Sequence, residues 1–237
     1  MNLPTGKVKK SYITTMFTGL SGNYDVVNSL CSLFIDHFWR SRAVRALGRN
    51  RGGKILDLCA GTLPLSRALL KGTTGNVVAV DISAGMLHIG LKRLNPQYGL
   101  NRLVAICGDG EMLPLRDQEY DSATVAFGIR NLAELDTGFS ELHRVMRPGA
   151  RLVILEFSTP PNPFISFAYH LYLEWVLIPV GTFFTGDRNA YQYLAQSIKA
   201  FPPPQVIAEK LQAAGFTTIS FVPLTAGIVT LYTAERA

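Results

Sequence analysis

Lys54-Ile55-Leu56-Asp57-Leu58-Cys59-Ala60-Gly61-Thr62-Leu63-Pro64 reads as a short strand that ends in a tight turn and opens directly into a helix. The run from Ile55 to Cys59 is short and almost continuously apolar, as expected of a strand buried on both faces of a sheet. Gly61 lets the backbone turn where a side chain would clash and lets a ligand approach closely. Thr62 is placed to cap the next helix, and Pro64 suits a first helical turn because that position needs no N–H. Turns of this kind, at the carboxyl end of a parallel strand, are where open α/β sheets bind cofactors.

Outward from that stretch the chain alternates. Leu63 to Leu70 reads as a helix closed by Gly72, Asn76 to Asp81 as a second strand, and Ser83 to Leu94 as a helix capped by Ser83. Arg102 to Cys107 and Asp121 to Phe127 read as the third and fourth strands. Leu132, Leu135, Phe139, Leu142 and Val145 mark one face of a helix that stops at Pro148-Gly149, and Arg151 to Phe157 is the fifth strand. Thr217 to Val222 and Ile228 to Thr233 complete the set, and the short link between them requires antiparallel neighbours. The expected fold is α/β: a Rossmann-like, doubly wound, seven-stranded sheet, mostly parallel with one antiparallel strand. Residues 54–158 form its cofactor-binding core and residues 201–237 its final helix and strand pair, within a single domain spanning 1–237.

Two segments lie outside this rhythm. Residues 1–53 read as an N-terminal arm and helices. The first 23 look like a flexible arm, and Val27, Leu30, Phe34 and Phe38 then mark the apolar face of a helix from Tyr24 to Trp39. Residues 159–200 read as an apolar lid insertion. Within it, Phe164 to Phe184 is a 21-residue run whose only charge is Glu174. Its length admits a membrane span, but Glu174, His170 and Pro179 argue instead for a lid over a greasy ligand, with one face touching a bilayer.

Composition narrows the class. Forty-eight per cent of the 237 residues are hydrophobic, high enough to suggest apolar surface facing lipid or an oily ligand. The net charge of +6 is concentrated in Arg40, Arg42, Arg45, Arg49, Arg51 and Lys54, with no acid between Asp36 and Asp57. Such a cluster suits an anionic membrane, a nucleic acid or simply solvent. Three cysteines without a C-x-x-C spacing argue against disulfides or zinc and for a cytoplasmic protein, associated at most with the inner face of the membrane.

The cofactor at the turn can be narrowed further. A dinucleotide site would carry G-x-G-x-x-G after the first strand, yet Gly61 is the only glycine between Asp57 and Gly72. Asp81, twenty residues beyond Gly61 at the end of the second strand, is placed to accept hydrogen bonds from a ribose diol. Gly108-Asp109-Gly110 follows the third strand, where Asp109 is placed to accept from an adenine amino group. Each aspartate alone is as well explained as a helix cap. Three at successive strand ends favour S-adenosyl-L-methionine, with Asp57, Gly61, Thr62, Asp81, Asp109 and Gly110 as the cofactor-binding residues. No His/Asp/Glu cluster has metal-ligand spacing.

Four further runs carry a resemblance: Tyr24-Asp25-Val26-Val27-Asn28; Phe127-Gly128-Ile129-Arg130-Asn131; Arg144-Val145-Met146-Arg147-Pro148-Gly149 continuing to Ser158; and Tyr191-Gln192-Tyr193-Leu194-Ala195-Gln196-Ser197-Ile198. With them the chain resembles the C-methyltransferases of menaquinone and ubiquinone biosynthesis over residues 24–234. The resemblance implies methylation of a ring carbon of a polyprenyl hydroquinone, demethylmenaquinol first and a ubiquinol precursor next. It also implies Tyr24, Arg130 and Asn131 as the reaction residues. Arg130 stays cationic, so it would stabilise a phenolate directly or through a bound water; its alternative is a structural ion pair with Asp187 or Glu156. The implied partners are a prenylated quinol, peripheral membrane contact and a homodimer, with no nucleic acid. The family usually carries Gly-Thr-Gly-Asp where Gly61-Thr62-Leu63-Pro64 stands here. Leu63 therefore predicts a reshaped cofactor turn or weakened binding. Two other readings stay open: a methyltransferase for another lipophilic small molecule, and a non-catalytic relative that scaffolds a membrane biosynthetic complex.

Overall fold

The computed structural model describes residues 3–19, 32, 34–50, 52–94 and 100–237. Two helices come first, α1 (Gly6–Gly19) and α2 (Ile35–Ala46). The alternating core follows as β1 (Lys54–Leu58), α3 (Pro64–Gly72), β2 (Asn76–Asp81), α4 (Ala84–Lys92), β3 (Leu103–Cys107), β4 (Tyr120–Ala126), α5 (Leu135–Val145) and β5 (Met146–Phe157). The insertion is α6 (Pro163–Tyr172), a π-helical turn over Leu173–Leu177, α7 (Ile178–Thr185) and α8 (Arg188–Lys199). The chain then runs through α9 (Pro204–Ala213), β6 (Phe216–Leu224) and β7 (Val229–Arg236).

The strands form one sheet in the order β3-β2-β1-β4-β5-β7-β6. β7 runs antiparallel to both β5 and β6, and the other pairings are parallel. β1 pairs with β2 through Ile55 and Val77 and with β4 through Ile55 and Ser122. The chain leaves β1 in one direction and returns to β4 on the other side, so the connections diverge at the carboxyl ends of these strands and open a crevice there.

Alternate residues of each central strand face opposite layers. Leu56, Val78 and Ala123 join Phe139 of α5 and Ile207 and Leu211 of α9 in one core. Ile55, Val77 and Ala79 join Trp39 of α2, Leu69 of α3 and Leu87 of α4 in the other. Burial on both faces is why these strands read as apolar runs rather than alternating ones.

Several expectations need correction. The first 23 residues are not a flexible arm throughout, because α1 is a formed helix held by long-range contacts. Ile13 is buried, Lys9 Nζ donates to the Leu132 carbonyl at 2.6 Å, and the Tyr12 and Tyr193 rings lie 5.3 Å apart. Of the expected helix from Tyr24 to Trp39, Tyr24 to Leu30 lie outside the described residues. Its described end starts at Ile35, after Phe34 in a left-handed conformation at φ 60°. Phe34 and Phe38 do not face the core; α2 buries Asp36, Trp39, Ala43 and Val44 instead. Helix α5 ends at Val145 rather than at Pro148-Gly149, because Met146 is already extended and pairs with Tyr120. Thr62 does not cap α3: the N-cap is Leu63, with no side-chain bond, and Pro64 opens the helix as expected. Ser83 does cap α4, its hydroxyl accepting from Met86 N at 3.3 Å.

Candidate active site

The crevice is a cavity of about 460 Å³ over the carboxyl ends of β1, β2 and β4. Its floor is the turn after β1, where Cys59, Gly61 and Leu63 all have positive φ, at 56°, 53° and 65°. That path turns the Gly61 N–H toward Asp81, whose Oδ2 accepts it at 2.8 Å, while Oδ1 accepts Ser83 N at 2.9 Å. Burial raises the Asp81 pKa, and the two N–H donors oppose the shift. A carboxylate has about four acceptor sites, so two remain for a ligand diol. Asp57 lies deeper. Ser66 Oγ donates to it at 2.5 Å and Thr124 Oγ1 at 3.2 Å, and burial pushes its pKa up to about 7.

At the end of β3, Asp109 Oδ1 accepts Glu111 N at 2.9 Å. Its Oδ2 is held by Lys10 of α1 at 2.8 Å, and the same ammonium reaches Glu111 Oε2 at 2.9 Å. Lys10 thus straps α1 over this side of the cavity, a contact that sequence reasoning missed because it lies 99 residues away in the chain. Gly110 faces inward, where a Cβ would come within 3.1 Å of Leu132 and 3.3 Å of Leu58.

β4 ends in a second sharp turn, with Phe127 at φ 58°. Gly128 passes so close to β1 that a Cβ there would lie 2.2 Å from that of Cys59. The following 3₁₀ turn presents Arg130 and Asn131 to the cavity. Arg130 donates to Glu156 Oε1 at 2.8 Å and to the Phe127 carbonyl at 2.5 Å, and its backbone N–H reaches Glu156 Oε2 at 3.2 Å. Glu156 is fully buried, so of the two candidate ion-pair partners it is the one engaged; Asp187 instead caps α8. Asn131 Oδ1 accepts from Tyr193 OH at 3.3 Å. The remaining wall is apolar and comes from the insertion, with Tyr169, Tyr172, Leu173 and Leu177 before α8 and Leu194 and Ile198 on it.

One cavity therefore brings together Asp57, Gly61, Thr62, Asp81, Asp109, Gly110, Arg130 and Asn131. Tyr24 lies outside the described residues. Among the described residues, no three His, Cys, Asp or Glu side chains group to hold a metal. An adenosyl cofactor fits what is present. Asp81 keeps acceptor capacity, and a Cβ on Gly61 would meet nothing closer than Met86 Cε at 4.0 Å, which leaves the turn open to a ligand.

The Leu63 side chain does not enter the cavity. The backbone there keeps a left-handed conformation that glycine favours, and the leucine side chain is fully buried in the core beneath, outside the cavity lining. Gly90 of α4 makes the room, since a Cβ there would sit 2.6 Å from Leu63 Cγ. Leu63→Ala is expected to lower stability by about 2–4 kcal/mol through the void it leaves. Affinity for S-adenosylhomocysteine should change less than about threefold, because no ligand contact is lost. Calorimetry showing a tenfold weaker ligand would put the side chain back in the site.

The fold and the polar groups at its strand ends suit a nucleoside cofactor. The family model described as "ubiE/COQ5 methyltransferase family" matches residues 5–236. The demethylmenaquinone methyltransferase of Clavibacter sepedonicus is 40% identical over 94% of this chain and 90% of its own. The ubiquinone/menaquinone biosynthesis C-methyltransferase UbiE of Hahella chejuensis is 35% identical over 97% and 93%. Among solved structures, the Haemonchus contortus phosphoethanolamine N-methyltransferase 2 bound to S-adenosylhomocysteine superposes with a TM-score of 0.63 at 15% identity, covering 83% of this chain. This chain spans about half the length of that enzyme, 52%. The [4+2]-cyclase SpnF superposes at 0.74 and 13% identity over 100% of this chain and 99% of its own, so the likeness is one of fold alone. This chain belongs to the ubiE/COQ5 methyltransferase family. Its family and its named relatives are methyltransferases.

Proposed function

We propose that the protein methylates a ring carbon of a polyprenyl hydroquinone, demethylmenaquinol first, at the cytoplasmic face of the membrane that stores it. The observation that carries this reading is the division of the cavity. Its floor is a set of polar strand ends suited to an adenosyl group, and its wall is the apolar face of α6–α8, suited to an oily acceptor. The relatives named for demethylmenaquinone and ubiquinone/menaquinone biosynthesis support the same acceptor.

S-adenosyl-L-methionine supplies, when bound, an electrophilic methyl group on a cationic sulfur. Asp81 takes the ribose diol, and Asp109 the adenine side. Arg130 stays protonated, so it acts as a fixed cation that favours the ionised phenol and with it the electron-rich ring carbon. Glu156 holds the guanidinium and cancels its charge over a distance, so the pair does not repel a sulfonium. Asn131, oriented by Tyr193, fixes a quinol oxygen. Transfer would neutralise sulfonium and phenolate together, release a neutral thioether and pass the hydrogen of the methylated ring carbon to water as a proton, so a dry apolar wall would favour the transition state over the separated ions. Most of the catalysis is the placing of two reactants in line.

Incubation with labelled S-adenosyl-L-methionine and a reduced membrane quinone extract tests the reading. Label should enter a prenylated quinone, and the mass of the product names the ring. Label confined to a non-quinone lipid would overturn the acceptor while leaving the methyltransferase.

A further inference from the structure

Two aromatics at the start of α2 face outward and are followed by arginines. Phe34 and Phe38 are 60% and 53% exposed, and Arg42, Arg45 and Arg49 are exposed at the following steps of four, three and four. Phe38, Arg42 and Arg45 lie within the helix at spacings that keep them on one side, and Arg49 follows in the turn beyond it. Asp36 is the one acid of α2, and it is buried and paired with Arg40. The insertion is divided the same way. Tyr169, Leu173, Leu177 and Gly181, four apart, are buried, whereas Phe164, Phe167, Trp175 and Phe183 are 66–84% exposed.

Both helices line the cavity with their inner sides, α2 through Ile35 and Trp39 and α6 through Ile165, Ala168 and Tyr172. Both exposed sets are thus carried by helices of the cavity wall. Four aromatics exposed by about two thirds or more on one helical segment make a candidate contact surface. The arginines beside it specify the contact, because a guanidinium binds phosphate oxygens bidentately while its apolar stem lies along hydrocarbon.

We propose that this surface seats the protein on an anionic phospholipid bilayer, with the arginines of α2 on headgroup phosphates and the aromatics of α6–α7 in the interface. The proposal rests on the acceptor being a membrane lipid. Pro163–Thr185 is long and apolar enough to cross a membrane by length and composition. The helix nevertheless belongs to the body of the protein. Tyr191 packs where a Cβ on Gly181 would lie 2.3 Å away, and Glu174 is paired with Lys199 of α8. It therefore lies on the bilayer rather than through it.

Flotation with vesicles of phosphatidylcholine, alone or mixed with phosphatidylglycerol, tests this. The wild type should bind the mixed vesicles more tightly, and added salt should weaken that binding. Arg42→Gln/Arg45→Gln/Arg49→Gln should lose roughly fivefold per arginine, on the order of a hundredfold in all. Trp175→Ser/Phe183→Ser should lose binding to both vesicle types. Equal binding of the wild type to neutral and mixed vesicles, or full binding by the arginine variant, would overturn the proposal. So would a solution dimer that the arginine variant abolishes, since the stripe would then belong to a second copy. The arginine variant should methylate a tail-less naphthoquinol at the wild-type rate. If the wild type itself fails on that acceptor, the substrate reading fails, and the vesicle result still decides the surface.

Discussion

Asp81→Ala is expected to weaken S-adenosylhomocysteine binding about a hundredfold or more, measured by calorimetry. The carboxylate is assigned two hydrogen bonds to the ribose diol, and bonds to a charged group contribute about 1.5–3 kcal/mol each. The substitution also strands the Gly61 and Ser83 N–H groups, whose bonds to Asp81 tie the turn after β1 to the end of β2. Asp81→Asn should fall between, because an amide keeps one acceptor but turns an NH₂ toward one of those donors. A loss of less than about threefold in the alanine variant would remove Asp81 from the cofactor site.

The second large effect is on stability. Glu156→Ala leaves the Arg130 guanidinium buried, with its side chain only 4% exposed, and takes its carboxylate partner away. Removing one member of such a pair costs about 3–5 kcal/mol. In a chain of this size that is a drop in melting temperature of roughly 10 °C. The backbone N–H groups of Arg130 and Phe157 lose an acceptor as well. Arg130→Met/Glu156→Leu should recover most of the stability, since the isolated charge is gone, yet methylate far more slowly if Arg130 steadies the phenolate. A Glu156→Ala protein that melts within about 2 °C of the wild type would show that the pair is not a structural necessity.

The strands were legible because burial on both sheet faces writes itself as unbroken apolar runs. Asn76 to Asp81 reads correctly to the residue. The turn after β1 was legible too, through Gly61, whose N–H bonds Asp81 twenty residues on, although Thr62 looked like a cap and Leu63 holds that position instead. Periodicity marks an apolar face through Phe34 and Phe38 but not which way that face points, and both rings are exposed. α1 carries little pattern of its own, and the contacts that hold it, Lys10 to Asp109 and Glu111, are made far along the chain. Glu156 had a visible signal that was only half used. A glutamate at the end of Leu152-Val153-Ile154-Leu155, in a strand buried from both sides, requires a cation opposite it.

Helix α6, continued through its π turn into α7, is cavity wall on one side and exposed aromatic surface on the other. Seated on a bilayer as proposed, an enzyme arranged this way would meet its acceptor in two dimensions. The concentration that governs turnover is then the mole fraction of quinol among the lipids, not its molarity in the whole volume. Diluting the bilayer with inert lipid slows such an enzyme, whereas diluting the buffer around it does not.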